Sequence, residues 1–228
     1  VYSSLNANAI FCGVGERSRE GKELYLEMGE SNLLDKMAMV FGQMGDNPVS
    51  RSKSIYAGLT LAEYLMPASE ISEQISLAGY EASGTSNMKF MINGAITFGT
   101  MDGANVEICD AVGDENIFIF GMSAKEVDDL WKTGYNSTYF YNSNKELRGI
   151  INTLKKGFAG KSFENIANYL LTSSGIADRY MCLADFEDYM KVHQKMDEAY
   201  LNKKHFNQMA LVNISEAGRF AADRSIKE

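Results

Sequence analysis

Short apolar runs alternate with segments of helical spacing along the first half of the chain. Apolar runs that end near glycine predict buried strands at four places: 9–14, 37–42, 95–100 and 116–120. Segments of helical character predict helices between them: 20–36, 49–66, 68–80 and 88–92. Buried apolar strands separated by helices are typical of a parallel sheet. The pattern therefore predicts an α/β fold in which the four strands form one mainly parallel, Rossmann-like sheet flanked by helices.

The chain beyond Ser123 has the pattern of a helical C-terminal portion. Five helices are predicted there: 124–133, 144–156, 163–172, 185–200 and 203–222. Ser123, Asn144 and Asp185 are predicted N-caps, because their short polar side chains can accept the first free N–H groups of a helix. The Asp102-Gly103 dipeptide predicts a tight turn after the third strand.

Composition narrows the class of protein. The 228 residues are 45% apolar and 23% charged, which is ordinary for a soluble globular protein and argues against wholesale disorder. The net charge of −8 counts against nucleic acid or an anionic membrane as a partner, because both need a basic face. No apolar run approaches the ~20 residues of a transmembrane helix, and no secretory signal is recognised.

Three separated cysteines indicate neither a disulfide framework nor a metal site. Cys12, Cys109 and Cys182 form no CxxC pair, which favours reduced thiols in a cytoplasmic protein. His193 and His205 have no neighbouring Ser or Cys in a catalytic arrangement and are interpreted as surface or packing residues. The sequence therefore predicts no metal site.

The most informative stretch for chemistry is Gly84-Thr85-Ser86-Asn87-Met88-Lys89. Its small residues let the backbone approach a ligand closely, and the helix that follows presents free N–H groups suited to a phosphate. Lys89 lies about one turn inside that helix, where its amine could act as a point charge or form a Schiff base. A simple helix cap has the same pattern, so spacing alone leaves both interpretations open.

A long run around this stretch resembles a known family. The sequence EQISLAGYEASGTSNMKFMINGAITFGTMDGANVEI, at 73–108, closely resembles the cofactor segment of the glycogen and starch phosphorylases. The resemblance continues through three more motifs: ENIFIFG at 115–121, DFEDYMKVHQK at 185–195 and NISEAGRFAADRSIKE at 213–228. It extends from near Thr60 to the last residue. It implies an α-glucan phosphorylase, a glycosyltransferase of carbohydrate metabolism that uses pyridoxal phosphate.

The resemblance also implies a role for each matching residue. Lys89 matches the lysine that holds pyridoxal phosphate as a Schiff base. Thr85 and Ser86 match the residues that contact the cofactor phosphate, although the family has glycine at the position of Ser86. Four consecutive residues match those that bind hydroxyls of the glucosyl unit: Glu81, Ala82, Ser83 and Gly84. The implied partners are a glucan or glucose phosphate.

A second motif, Gly15-Glu16-Arg17, follows the first predicted strand. A carboxylate at the carboxyl end of a strand lies where α/β proteins hold ligands, but an acidic loop before a helix has the same pattern. Three runs, FCGVGERSREGKELYLEM, LLDKMAMVFGQMGDNP and SRSKSIYAGLTLAEY, resemble the β subunit of rotary ATP synthases within 9–64. This resemblance implies that Glu16 polarises the water that attacks the terminal phosphate of a nucleotide.

Two unrelated families thus follow one another, as in a chimera joined near Thr60. The segments 1–66 and 67–228 are expected to pack as one body. The first segment lacks the phosphate-binding loop and the magnesium-binding aspartate of its family, and Gly160-Lys161-Ser162 does not complete a replacement loop. No ATP hydrolysis is therefore expected. The second segment lacks the N-terminal domain and the upstream basic motif that holds substrate phosphate in its family.

Three hypotheses of function follow. The leading one is the C-terminal portion of an α-glucan phosphorylase that binds pyridoxal phosphate weakly and is inactive by itself. The runner-up is a non-catalytic α/β chimera, engineered or natural. An ATP-binding fragment ranks third, because the groups that would hold the nucleotide are missing.

Overall fold

The chain divides into two compact units, Val1–Ala68 and Ser69–Glu228, which are described one at a time. The structure is a computed structural model. It describes the following residues: 9–16, 18–30, 34, 37–43, 47, 49–50, 53, 60, 64, 66–158, 160–172 and 175–227.

The first unit contains a two-stranded parallel sheet. β1 (Ala9–Glu16) pairs with β2 (Met37–Gln43), and the register shifts near the end of β1. α1 (Ser18–Glu30) lies between the two strands in sequence and packs on both, as the crossover of a parallel pair requires. Both strands predicted in this region are confirmed. The helix predicted over 20–36 corresponds to α1, and most of the helix predicted over 49–66 lies outside the described residues.

The second unit contains a three-stranded parallel sheet with β4 in the centre. Its strands are β3 (Ile71–Gln74), β4 (Ile96–Gly99) and β5 (Phe118–Ile119). All four residues of β4 are buried, which suits a central strand covered on both faces. α2 (Ser86–Ile92) leads from β3 to β4, and α3 (Ala104–Val112) leads from β4 towards β5.

The remainder of the second unit is helical. Its helices are α4 (Ala124–Thr133), α5 (Ser137–Ser143), α6 (Lys145–Lys156), α7 (Glu164–Leu171), α8 (Cys182–Leu201), α9 (Lys203–Glu216) and α10 (Ala222–Lys227). One core cluster joins the sheet to α8 and α9: Ile96, Phe98, Phe118, Phe120, Val192, Met196, Phe206 and Met209. The fully buried ring of Phe98 lies 4.9 Å from that of Phe120. None of the described helices is long and apolar enough to cross a lipid bilayer.

The α/β fold is confirmed, but the prediction of a single sheet is wrong. β1 and β2 pair with each other, whereas β3, β4 and β5 form a second sheet. Apolar runs indicate that a strand is buried and do not encode which strand supplies its hydrogen-bonding partner. The pairing is decided by contacts between residues far apart in sequence.

The helix predicted over 68–80 is also wrong, because this segment contains β3. The buried position of β3 is Ser72, which is 3% exposed. A polar residue at the buried position removes the apolar alternation that identifies a strand. The pairing of β3 with β4, from Ile71 opposite Ile96 to Gln74 opposite Gly99, overrides the local pattern.

Two of the three predicted N-caps are confirmed. Ser123 and Glu126 form a reciprocal capping box at α4, and the Asn144 side chain accepts from two backbone N–H groups at α6. Asp185 is not an N-cap, because α8 begins at Cys182. The carboxylate that accepts the first N–H groups of α8 belongs to Asp178, which lies outside the helix and is fully buried.

Three helices were not expected from the sequence: α3, α5 and α10, the last of which begins where the predicted 203–222 helix ends. α3 follows Asp102-Gly103, where Gly103 has a φ of +52° and turns the chain directly into the helix. α5 is short and contains the aromatic cluster around Tyr139 and Phe140, whose rings lie 5.3 Å apart. Short helices with few capping signals are stabilised by packing more than by local propensity.

Candidate functional site

The candidate site lies in the second unit, at the carboxyl ends of β3 and β4. The segment after β3 returns across the end of β4, where the Thr100 N–H donates to the Gln74 carbonyl at 3.1 Å and the Thr100 hydroxyl donates to the Ser76 carbonyl at 2.6 Å. Open parallel sheets hold their ligands at this edge. The site is therefore built on two adjacent strand ends.

Asp102 organises the loop that carries the predicted substrate residues. Its buried carboxylate accepts from the Ser76 hydroxyl at 2.8 Å and from the Gly79 and Glu81 N–H groups, both at 2.9 Å. Hydrogen bonds to an ionised acceptor are about twice as strong as neutral ones. One side chain thus holds the loop from Ser76 to Glu81 against the start of α3.

A pair of buried amides positions the start of α2. The Asn87 side-chain amide donates to Asn105 Oδ1 at 2.9 Å, and the Asn105 amide donates to the Thr100 carbonyl at 2.9 Å. Both asparagines are nearly fully buried. The amides fix the distance between α2, α3 and the end of β4, so the N-terminus of α2 is held rigidly beside the loop.

Gly103 allows the closest approach of this loop to α3. The Ala104 N–H donates to the Ser83 carbonyl at 2.5 Å. A Cβ added to Gly103 would lie 2.5 Å from the same carbonyl oxygen. With a φ of +52°, Gly103 has a backbone conformation that L side chains rarely adopt.

The structure brings together four of the residues predicted from the sequence. Glu81, Gly84, Thr85 and Ser86 line one cavity of about 310 Å³. Gln74, Asn87, Asp102 and Asn105 line it from the sheet and from the starts of α2 and α3. Glu81, Thr85 and Ser86 are exposed, so a ligand can reach them from solvent.

Of the residues predicted within the second unit, three do not line that cavity. Ala82 and Ser83 lie on a second cavity of about 310 Å³, together with Arg219 and Arg224 from the C-terminal segment. Lys89 is exposed on α2, with its backbone N–H donating to the Thr85 carbonyl at 3.3 Å. Its ammonium group forms no ion pair within the described part of the chain.

The donor set around α2 fits a phosphate-bearing aldehyde such as pyridoxal phosphate. The backbone N–H groups of Thr85, Ser86 and Asn87 donate to no acceptor among the described residues. The Ser86 hydroxyl is oriented by a 3.3 Å hydrogen bond to Gln74 Oε1. Free amides suit the phosphate, and the exposed amine of Lys89 suits the aldehyde.

Glu16, the residue predicted to act on a nucleotide, belongs to the first unit. It is the last residue of β1, so its position at the carboxyl end of a strand agrees with the prediction. Among the described residues, no group of three or more His, Cys, Asp and Glu side chains could hold a metal ion.

Sequence reasoning missed Asp102, Asn87 and Asn105, which hold the site together. Asp102 and Asn105 both follow a predicted strand closely, and residues directly after parallel strands point to the ligand edge. That signal is present at Asp102, where the Asp-Gly dipeptide by itself predicts only a turn. Asn87 carries no signal of its own, because its role depends on Asn105, 18 residues away.

Comparison with known proteins identifies the family. Residues 56–228 match the carbohydrate phosphorylase family, and residues 2–72 match the nucleotide-binding domain of the ATP synthase alpha/beta family. The muscle form of human glycogen phosphorylase is 46% identical over 174 residues, and the liver form from Bos taurus is 46% identical over 170 residues. Each alignment covers 75% of this chain and 20% of the relative, so the chain spans about a fifth of their length. The chain belongs to the carbohydrate phosphorylase family.

Proposed function

We propose that this chain is the cofactor-bearing portion of an α-glucan phosphorylase and that Lys89 holds pyridoxal phosphate. The observation that carries the proposal is the combination of an exposed lysine amine with three backbone N–H groups near it, at the start of the same helix, that donate to no acceptor in the described part of the chain. This combination lies within the segment matched by the phosphorylase family.

Each residue of the site has a defined part in the proposal. The Lys89 amine holds the aldehyde end of the cofactor, while the Thr85 hydroxyl and the N–H groups of 85–87 hold its phosphate. When bound, the cofactor supplies a phosphate group that exchanges a proton with the substrate phosphate. Glu81 and the backbone of 82–84 bind hydroxyls of a glucosyl unit, and Asp102 keeps that loop in position.

Turnover requires more than this site. The substrate phosphate must be held by basic groups against the glucosyl bond, because positioning and charge neutralisation dominate this class of chemistry. The basic motif that precedes the cofactor segment in this family is not in this sequence. Residues 56–72 are matched by both family models, so the two family segments meet in that region. We therefore propose that the chain is a chimera of two family segments and that it is inactive by itself.

The free thiols Cys109 and Cys182 suit a reducing compartment such as the cytoplasm.

Incubation with pyridoxal phosphate is expected to modify Lys89. Two or three charge-assisted hydrogen bonds, each contributing ~1.5–3 kcal/mol, give weak but selective capture. Borohydride reduction followed by peptide mass spectrometry should locate the adduct at Lys89, and the accompanying absorbance band should disappear in Lys89→Ala. Lys191→Ala is the matched control, because Lys191 is also exposed on a helix and lies outside the site.

The same experiment separates the alternatives. A non-catalytic chimera without a cofactor site predicts equal modification of Lys89 and Lys191. An absorbance band that persists unchanged in Lys89→Ala would refute the proposed role of Lys89.

No glucose 1-phosphate is expected from glycogen and inorganic phosphate, whether or not the chain has been loaded with pyridoxal phosphate. A coupled assay that detects glucose 1-phosphate measures this directly. Product formation by the chain alone would show that the basic groups missing from this sequence are not needed.

A further inference from the structure

A separate cavity of about 250 Å³ lies beside the candidate site in the second unit. It is lined by the residues that directly follow the three strands: Ile75 after β3, Thr100 after β4 and Phe120 after β5. It shares Glu73, Ile75 and Ser76 with the cavity that Thr85 and Ser86 line. None of the site residues predicted from the sequence lines it. This cavity therefore lies at the carboxyl ends of the strands, where such sheets bind ligands, and it is separate from the proposed cofactor site.

Aromatic rings form much of its wall. The lining includes four of them: Phe120, Tyr180, Phe186 and Tyr189. Phe120 and Tyr189 meet edge to face, with ring centroids 5.0 Å apart. Flat aromatic faces pack well against the C–H face of a six-membered sugar ring, whose hydroxyls then point towards the rim.

Two carboxylates supply hydrogen-bond acceptors. Asp185 is 8% exposed; its Oδ1 accepts from the Met122 N–H at 2.9 Å, while its Oδ2 accepts no hydrogen bond within the described part of the chain. Glu73 accepts from the Tyr189 hydroxyl at 3.0 Å through Oε1, and its Oε2 has no hydrogen-bond donor in the same part. Each residue thus offers an acceptor oxygen to a ligand in the cavity it lines.

The residues that line this cavity disfavour charged ligands. Among the described residues that line this cavity there is no Lys, Arg or His, so they offer no cationic partner to an anion such as phosphate. Burial raises the pKa of the Asp185 carboxyl, and the nearby carboxylates of Asp188 and Asp178 raise it further. A carboxyl with a raised pKa carries less negative charge, so it attracts a cation less strongly. A neutral hydroxyl group suits Asp185 in either protonation state, because it can donate to the carboxylate and accept from the protonated carboxyl.

We propose that this cavity binds one neutral pyranose ring, stacked on the aromatic wall with hydroxyls donating to Asp185 and Glu73. The volume is below the range of drug-sized ligand pockets and suits a single ring. The choice of a sugar rests in part on the proposed glucan-phosphorylase function. The ring comes either from free glucose or from the end of a glucan.

The Cys182 thiol lines the same cavity and serves as a reporter. Burial and the neighbouring Asp178 carboxylate raise its pKa to about 11, so it alkylates slowly and its rate is easily followed. Maleimide labelling of each cysteine, quantified by peptide mass spectrometry, is carried out with glucose or maltose at roughly 20 mM, above a millimolar Kd. Sugar should slow the labelling of Cys182 about threefold or more and leave buried Cys109 unchanged. Protection by maltose alone would assign the site to a glucan end, and protection by glucose to the free sugar.

Substitutions at two of the residues that line the cavity test the inference. Tyr180→Ala removes a ring that is 52% exposed, and Tyr169→Ala is its control because Tyr169 is 43% exposed and lies outside the cavity. Asp185→Asn keeps an oxygen for the Met122 N–H but replaces the free acceptor by an amide donor. Tyr180→Ala and Asp185→Asn should each weaken sugar protection about threefold to tenfold, the range expected for one lost contact. Tyr169→Ala should retain it.

Several outcomes would overturn the inference. No protection of Cys182 by either sugar, with capture of pyridoxal phosphate at Lys89 intact, would refute this site and leave the proposed function standing. Protection by tetramethylammonium without protection by sugars would assign a cation site instead. Full sugar protection in both Tyr180→Ala and Asp185→Asn would show that the sugar binds elsewhere. Protection of Cys182 without cofactor capture would support the sugar site and count only against the proposed function.

Discussion

Asp102→Ala is expected to lower the free energy of unfolding of the second unit by about 2–4 kcal/mol, because it leaves three donors without an acceptor. These are the Ser76 hydroxyl and the Gly79 and Glu81 N–H groups. A fully buried unsatisfied donor costs ~1–3 kcal/mol, and the cost here is smaller for each donor because Gly79 and Glu81 are exposed and Ser76 is half-buried, so that water replaces part of the lost bonding. Urea denaturation followed by the fluorescence of Trp131, the single tryptophan of the chain, measures the change in the second unit.

The local effect of Asp102→Ala should exceed the global one. Without the carboxylate, hydrogen exchange of the backbone amides at 79 and 81 should accelerate strongly, while the amides of β4 retain their protection. Cofactor capture at Lys89 should weaken as the loop moves away from α2. Asp110→Ala is the control, because Asp110 is an exposed carboxylate on α3 that accepts no hydrogen bond within the described residues. A loss of stability equal to that of the control would show that Asp102 does not hold the loop.

Gly99→Ala is expected to lower the free energy of unfolding by about 3 kcal/mol or more, since the added methyl group has no space. Its Cβ would lie 2.3 Å from the Gln74 carbonyl oxygen and 2.9 Å from the Asn105 amide nitrogen. The first of these atoms is backbone of the paired strand β3, so relief requires the two strands to separate. The second holds the amide pair that positions α2.

Gly149→Ala provides a control with the opposite sign. Gly149 lies in α6, and a Cβ there would meet no atom of the described residues within 4 Å. Alanine should therefore stabilise the chain by ~0.5–1 kcal/mol through helix propensity and reduced freedom of the unfolded chain. The same denaturation assay serves both variants. A Gly99→Ala protein as stable as the parent would mean that β3 and β4 are not packed as closely as described.

Local signals predicted the helices best. α4 has the bounds predicted from its apolar spacing, and its N-cap at Ser123 is confirmed; the structure adds the reciprocal bond to Glu126, three residues away. α7 lies within the predicted 163–172 segment, with one residue fewer at each end. Such features depend on residues three or four apart, which a sequence displays directly.

Strand pairing and the true start of α8 could not be predicted in this way. The prediction of a single sheet is wrong because an apolar run shows that a strand is buried but not which other strand it pairs with. The N-cap prediction at Asp185 failed because the capping carboxylate comes from Asp178, whose φ of +48° places it in a turn before the helix. Asp185 is instead buried against the Met122 N–H, 63 residues away.

The sequence by itself determined the class of fold, most of the helices, the resemblance to two families and the stretch from Glu81 to Lys89 as the candidate site. Each of these depends on local periodicity or on a contiguous motif. The tertiary structure decided that the strands form two sheets and that Asp102 holds the loop through contacts up to 26 residues apart. It also decided that the residues from Glu81 to Ser86 divide between two cavities, while Lys89 lines neither of them. The physical reason is that strand pairing, buried polar networks and cavities arise from contacts between distant parts of the chain, which no local pattern specifies.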